Sequence, residues 1–343
     1  MSKAKPDAVT RTSAISATWP TYRLFGLTLA SEFPFASQLE PGDRTPDVAF
    51  TVVPTPPLSV EWDTVDPVYT SPYKNEDEDS ILSIYRLDNC DVLRFAQVAD
   101  FYLWPDRIIC HCQEPAYDYL VELRLLGPVL AYWLEQHGIA TLHASAVAAN
   151  GFGIGFLSGN KGGKSALAAT FMQAGHPLLT DDVLPIENHK DRLLGQPGYP
   201  QMRLWADEAE HFLGHNHSLK ELHPELSKYR LPIGTDHFGT FCRAAQPLTC
   251  LYVPERHDPT EMGEKIIIIP ISPRERVVEL VRHSFIARIV EAMGLQPHRL
   301  GLLAQLAQRV PMRRIVYPVG FQHLARVRDT ILASLAGIET SIG

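Results

Sequence analysis

The sequence predicts an α/β protein of two domains: a smaller β-rich one over 21–116, then a larger mixed α/β one over 117–343, behind a flexible tail at 1–20. Three observations predict this. Short apolar alternations broken by Pro, Gly and Asp run from Tyr22 to Cys112. The periodicity then turns helical in "YDYLVELRLLGPVLAYWLEQHG". Further on, "GFGIGFLSGNKGGKSALAATFMQAG" reads as strand, glycine-rich loop and helix in immediate succession.

In chain order, "MSKAKPDAVTRTS" is polar and leads into no apolar run, so it reads as a tail and not as a secretory leader. "VAFTVV", "SILSIYRL", "DVLRFA" and "RIICHC" read as strands, with "YKNEDEDS" a solvated acidic turn between them. The helical stretch ends on Gly138 and carries Gly127-Pro128, which kinks or splits it. "ATLHASAVAAN" and "GFGIGFLS" read as strands joined by an Asn150-Gly151 turn. "LLTDDVLPIEN" and "RLLGQPGYP" read as a strand pair turning at Lys190-Asp191. Residues 206–245, rich in His and charge, read as a long loop region. "EKIIIIPIS" reads as a fully buried strand. "SPRERVVELVRHSFIARIVEAMG" opens on Ser-Pro, an N-cap followed by proline in the first turn, and reads as one helix. A second helix, the strand "RRIVYPV" and a terminal helix follow.

Composition excludes several classes. The 343 residues are 45% hydrophobic and 20% charged, with a net charge of −8 and no Lys/Arg-dense segment, which disfavours a nucleic-acid partner. Apolar runs such as "LLGPVLAYWL" are too short to span a bilayer. The five cysteines are scattered, and Cys110 and Cys112 have no second pair at zinc spacing, so they read as buried thiols of a cytoplasmic protein. An acidic chain repels phosphates at long range, so any anion site must be built locally.

The glycine-rich loop can build one. A phosphate loop follows G-x-x-x-x-G-K-[ST] between a strand and a helix: its glycines turn backbone N–H groups inward, and the helix N-terminus adds partial positive charge. Here "SGNKGGKS" supplies Ser158, Gly159, Asn160, Lys161, Gly162, Gly163, Lys164 and Ser165, with Ser158 where the pattern has its first glycine. Lys164 is placed to reach the β- and γ-phosphates of ATP, and Ser165 to bind Mg²⁺. The next strand ends in Asp181-Asp182, where one carboxylate can hold the metal and the other take a proton from an attacking hydroxyl. We expect Asp181 as the base and Asp182 on the metal, while His143 in "TLHASAV" reads on its own as a core histidine of a strand. His211, His215, His217 and His223 fit no closed four-ligand zinc pattern, so 211–230 is expected to be a loop near the site that orders on substrate binding.

His143, the phosphate loop fifteen positions later, "AGH" and "LLTDDV" together resemble the catalytic domain of HPr kinase/phosphorylase. They look closer still to HPr-kinase-like bacterial proteins with the run "LHASAV…SGAGKSTLA…G…LL-DDV". "GQPGYPQMRLW" is similar to a further segment of theirs, and the match covers 117 to about 290. The resemblance implies an α/β fold of the HPr kinase/PEP-carboxykinase-like type. It implies an ATP- and Mg²⁺-dependent kinase that phosphorylates a serine of a protein or peptide, including ribosomally made precursors of lasso type. On matching positions, His143 would orient the base Asp181, and one of Lys228 and Arg230, and more weakly Arg203, would steady transferring charge. The stretch 195–215 lacks the glycine-rich signature of the family's reverse reaction, so only the kinase direction is implied. A small-metabolite kinase and a non-catalytic ATP-binding regulator are the alternatives, and a homo-oligomer is left open.

Overall fold

The computed structural model describes residues 18–112, 118–190, 192–215, 219–221, 228–234 and 238–339. The expected tail lies outside these residues up to 17, as do Asp191, His217 and His223.

The first sheet is built from β1 (Thr21–Leu24), β2 (Leu27–Ser31), β3 (Glu40–Pro41), β4 (Val48–Val53), β5 (Tyr69–Thr70), β6 (Ser83–Arg86), β7 (Asp91–Phe95), β8 (Ala99–Leu103) and β9 (Arg107–Cys112). Their order is β3-β1-β2-β4-β9-β8-β7-β6-β5, with β2–β4 and β4–β9 parallel. The acidic turn before β6 is tied locally, Asn75 Oδ1 accepting from the amides of Asp77 and Asp79.

One face of this sheet is covered by α1 (Asp118–Arg124) and α2 (Leu130–Gln136), which share a core with Phe50, Leu93 and Phe101. Between the helices Leu125–Val129 forms a π-turn in which Gly127 leaves helical geometry ahead of Pro128. The expected kink is therefore a change of hydrogen-bond register.

The second sheet begins with β10 (Ala140–Ala149) and β11 (Phe152–Leu157). Their turn places Asn150 and Gly151 at φ +53° and +81°, as a two-residue hairpin requires. Helix α3 (Lys164–Gln173) follows, then β12 (Leu178–Thr180), β13 (Val183–His189) and β14 (Arg192–Gly195). A small separate sheet holds β15 (Gln201–Trp205), β16 (Lys220–Glu221) and β17 (Lys228–Pro232), with α4 (Ala206–Leu213) after β15. The long β18 (Gln246–His257) pairs with both β14 and β11, bending the second sheet back on itself. The chain closes with α5 (Pro259–Met262), β19 (Ile267–Pro270), α6 (Pro273–Arg282), α7 (Ala287–Ala292), α8 (Gln296–Arg309), β20 (Met312–Pro318) and α9 (Leu324–Glu339).

Strands β11, β18 and β20 run parallel, the arrangement that aims β11 at the helix following it. Phe156, Leu167, Phe171, Tyr252, Val327 and Ile331 fill one face of this sheet, and Leu142, Leu157, Leu251, Leu280, Leu303 and Leu306 the other. The chain is thus a mixed α/β protein. No helix among the described residues is long and apolar enough to cross a membrane.

Three expectations are corrected. Residues 206–245 hold α4 and β17 in place of a continuous loop. "EKIIIIPIS" forms an edge strand, with Ile269 45% exposed, because β19 pairs on one side only with β20. The single helix from Ser272 breaks into α6 and α7, because backbone at His283–Phe285 turns to bond β10: His143 N donates to His283 O at 2.7 Å and Phe285 N to Thr141 O at 3.1 Å. Of the five thiols, Cys112 and Cys242 are half-buried and the other three buried.

Candidate active site

The loop between β11 and α3 turns on two left-handed residues, Lys161 at φ +59° and Gly163 at φ +89°. Ser158 does not open the loop; its buried side chain packs into it. A Cβ at Gly162 would lie 2.5 Å from Ser158 Cβ, so Gly162 supplies the space that the missing first glycine would have given. Gly159, Asn160 and Lys161 form the exposed tip. Lys164 and Ser165 occupy the first turn of α3, both buried.

Asp181 and Asp182 lie between β12 and β13, opposite β10. The ladder keeps its register across them, with Ala146 facing Thr180 and His143 facing Val183. Strand alternation alone would send the two carboxylates to opposite faces. Asp182 instead adopts φ +69°, a conformation Asp tolerates better than most residues, and both carboxylates meet the start of α3. Ser165 Oγ donates to Asp181 Oδ1 at 3.1 Å, while Lys164 Nζ lies 3.4 Å from Asp182 Oδ1.

Each aspartate has further partners. Ser145 Oγ donates to Asp181 Oδ1 at 2.5 Å, and the Arg203 amide to Oδ2 at 2.9 Å. The Arg203 guanidinium reaches Asp182 Oδ2 at 3.0 Å and the Tyr199 hydroxyl at 3.3 Å. Burial and the neighbouring Asp182 push the Asp181 carboxyl up. Burial also opposes ionisation of Asp182, but Lys164 and Arg203 outweigh it and hold that carboxyl well below the ordinary range. His143, beside the Asp182 backbone and 5.6 Å from the Phe285 ring, is pushed down to about 4 by burial and then by Lys164.

His143, Lys164, Ser165, Asp181 and Asp182 therefore converge, and Arg203 joins them. Lys228 contributes its field at Asp182 and His143 while its ammonium sits 4.7 Å from the Trp205 ring centroid. Arg230 does not join them. It pairs at 3.3 Å with buried Glu122, which also accepts from the amides of Ala36 and Ser37. Ser145 and Tyr199 went unread in the sequence. Ser145 had a signal, since it stands two residues from His143 on one strand and so shares its face.

Among the described residues no group of three or more His, Cys, Asp and Glu side chains is placed to hold a metal. Mg²⁺ in nucleotide sites typically takes only one or two protein oxygens and completes its shell from water and phosphate. Ser165 and Asp181 fit that donor set. Asp181 is buried, and its hydrogen-bond donors among the described residues are two hydroxyls and an amide, with no cationic side chain.

No family model matches the chain, and no curated protein matches it. Among solved structures, the HPr(Ser) kinase/phosphatase from Coxiella burnetii aligns over 57% of this chain and 94% of that one, at 11% identity and a TM-score of 0.28.

Proposed function

We propose that the chain is an ATP- and Mg²⁺-dependent kinase transferring the γ-phosphate to a serine hydroxyl of a peptide or protein. The observation that carries this reading is the pairing of Lys164 with Asp182 and of Ser165 with Asp181 at the start of α3. The motif resemblance to HPr-kinase-like proteins supports the serine acceptor.

In this reading backbone amides of 159–165 and the α3 N-terminus cradle the phosphates, and Lys164 turns from Asp182 toward the β- and γ-phosphates. Ser165 and Asp181 would hold Mg²⁺, which supplies charge neutralisation on the phosphate oxygens. Asp182, released from Lys164 and still oriented by Arg203, accepts the serine proton. The transition state is loose, so positioning matters more than basicity. His143, neutral at physiological pH, holds the Asp182 segment. The two aspartates thus take roles opposite to those expected from sequence. What supports this order is that Ser165, the metal-side hydroxyl, sits on Asp181.

Full-length protein incubated with γ-labelled ATP, Mg²⁺ and serine peptides should label the peptide, and Lys164→Ala should reduce turnover at least about tenfold. Labelling confined to small hydroxylated metabolites, or ATP binding without turnover, would overturn the reading. A Lys164→Ala variant retaining most activity would do the same.

A further inference from the structure

A cavity of about 530 Å³ opens beside the phosphate loop. Gly163 and Ala166, which bracket Lys164 and Ser165 in sequence, line it together with the aromatic walls Trp205, Tyr317 and Phe321. Its size lies in the ~300–1,000 Å³ range usual for small-ligand sites. The His211 ring stacks on Phe321, with centroids 4.5 Å apart and planes 11° from parallel. A Cβ at Gly163 would come 2.9 Å from the Tyr317 hydroxyl, so glycine keeps the junction of loop and wall open.

Two polar features mark the cavity. Lys161, from the loop tip, and Lys228 each place an ammonium 4.7 Å from the Trp205 ring centroid, two like charges on one indole. Glu208, buried and lining the cavity, uses Oε2 to accept from the Trp205 amide at 3.0 Å. Among the described residues its other oxygen has no hydrogen-bond partner.

We propose that this cavity is the nucleoside half of the nucleotide site, taking the base and ribose of the nucleotide whose phosphates the loop of 158–165 holds. The inference rests on the phosphate-loop reading above. A phosphate chain seated at Gly163–Ser165 must carry its nucleoside only a few bonds away, and this cavity shares Gly163 with that seat. Phosphate draws Lys161 and Lys228 off Trp205, freeing an aromatic face on which the base stacks. The second oxygen of Glu208, which lines the cavity, accepts from a nucleoside donor, a ribose hydroxyl or an exocyclic amine.

Calorimetry of the full chain with Mg·ATP and with Mg·tripolyphosphate, the same phosphate chain without a nucleoside, tests this. Wild type should bind ATP at least about tenfold tighter than tripolyphosphate, since base–aromatic stacking contributes about 1–3 kcal/mol per base. Trp205→Ala and Phe321→Ala should each weaken ATP about tenfold and leave tripolyphosphate within about twofold, which also reports that the variants fold. Glu208→Gln, which keeps the cap but turns a donor into the cavity, should weaken ATP about tenfold. The analogue that already lacks that contact, 2′-deoxy-ATP for the ribose or ITP for the amine, should be insensitive to it. If the aromatic variants weaken both ligands equally, or neither, while Lys164→Ala still weakens both, the nucleoside lies elsewhere and the phosphate loop stands. If neither ligand binds wild type, or Lys164→Ala changes neither, both readings fall.

Discussion

Gly162 and Ser158 compensate for each other across the glycine-rich loop, because the serine side chain fills the space where a Gly162 Cβ would stand. Gly162→Ala should therefore cost about 1–3 kcal/mol as overpacking, read as weaker nucleotide binding, and Ser158→Gly in the same chain should restore most of it. Additive losses in that double-mutant cycle would show that the two positions do not share the space. A second expectation concerns Glu208, whose carboxyl burial pushes from its ordinary 4.5 up to about 7. Between those values the unfolded chain has lost a proton that the folded chain keeps, so stability falls as pH rises through that window. Glu208→Gln should remove that slope, a difference on the order of 3 kcal/mol between pH 4.5 and 7. Denaturant melts of the nucleotide-free protein at both pH values measure it, and parallel profiles for the two proteins would contradict it. The residues themselves were legible at this scale: "GKS", the aspartate pair and His143 all arrive at one site. Which partner each aspartate takes was not, because it depends on the positive φ of Asp182, which no local pattern announces.

The elements that sequence misjudged are those whose fate is decided by partners distant in the chain. "SPRERVVELVRHSFIARIVEAMG" has helical periodicity throughout, yet β10 captures its backbone at His283–Phe285. Helix α4 was hidden for another reason: Trp205 stands at its N-cap, where Ser, Thr, Asp or Asn would have signalled a start, and Glu208 alone carries the capping signature. The α6–α7 break matters for the site because it fixes His143 from behind and brings Phe285 against its ring. Phe285→Ala should expose the imidazole and move its pKa from about 4 back toward 6.5, since burial is the main cause of the depression. NMR titration of His143 reads this directly, and an unchanged value would place the cause elsewhere. In stability the sign is fixed. Below 6.5 the unfolded chain takes up a proton that the folded one refuses until about 4, so wild type loses stability as pH falls through that window, and Phe285→Ala should lose less.

Across the whole molecule, the nine-stranded sheet and the layer that carries the glycine-rich loop meet through shared packing and a few buried polar ties. Val183 and Tyr199, next to the site, belong to the same core as Phe50 and Phe101. Phe25 N donates to Pro197 O at 2.7 Å. Glu122, on α1, collects the amides of Ala36 and Ser37 from one side and the Arg230 guanidinium from the other. The resemblance offered Arg230, with Lys228, as a cation to steady transferring charge, because a basic element is visible in the sequence and the glutamate about a hundred residues earlier that pairs with it is not. The consequence is a separation of stability from chemistry. Arg230→Met leaves Glu122 buried without its cation and should cost about 3–5 kcal/mol, as one-sided removal of a buried pair does. Turnover of the protein that remains folded should stay within a fewfold of wild type. Arg203→Met removes a direct partner of Asp182 and should lower kcat by roughly 10². Urea melts and single-turnover kinetics on the two variants measure both quantities, and a kcat loss for Arg230→Met matching that of Arg203→Met would place Arg230 with the proposed catalytic residues.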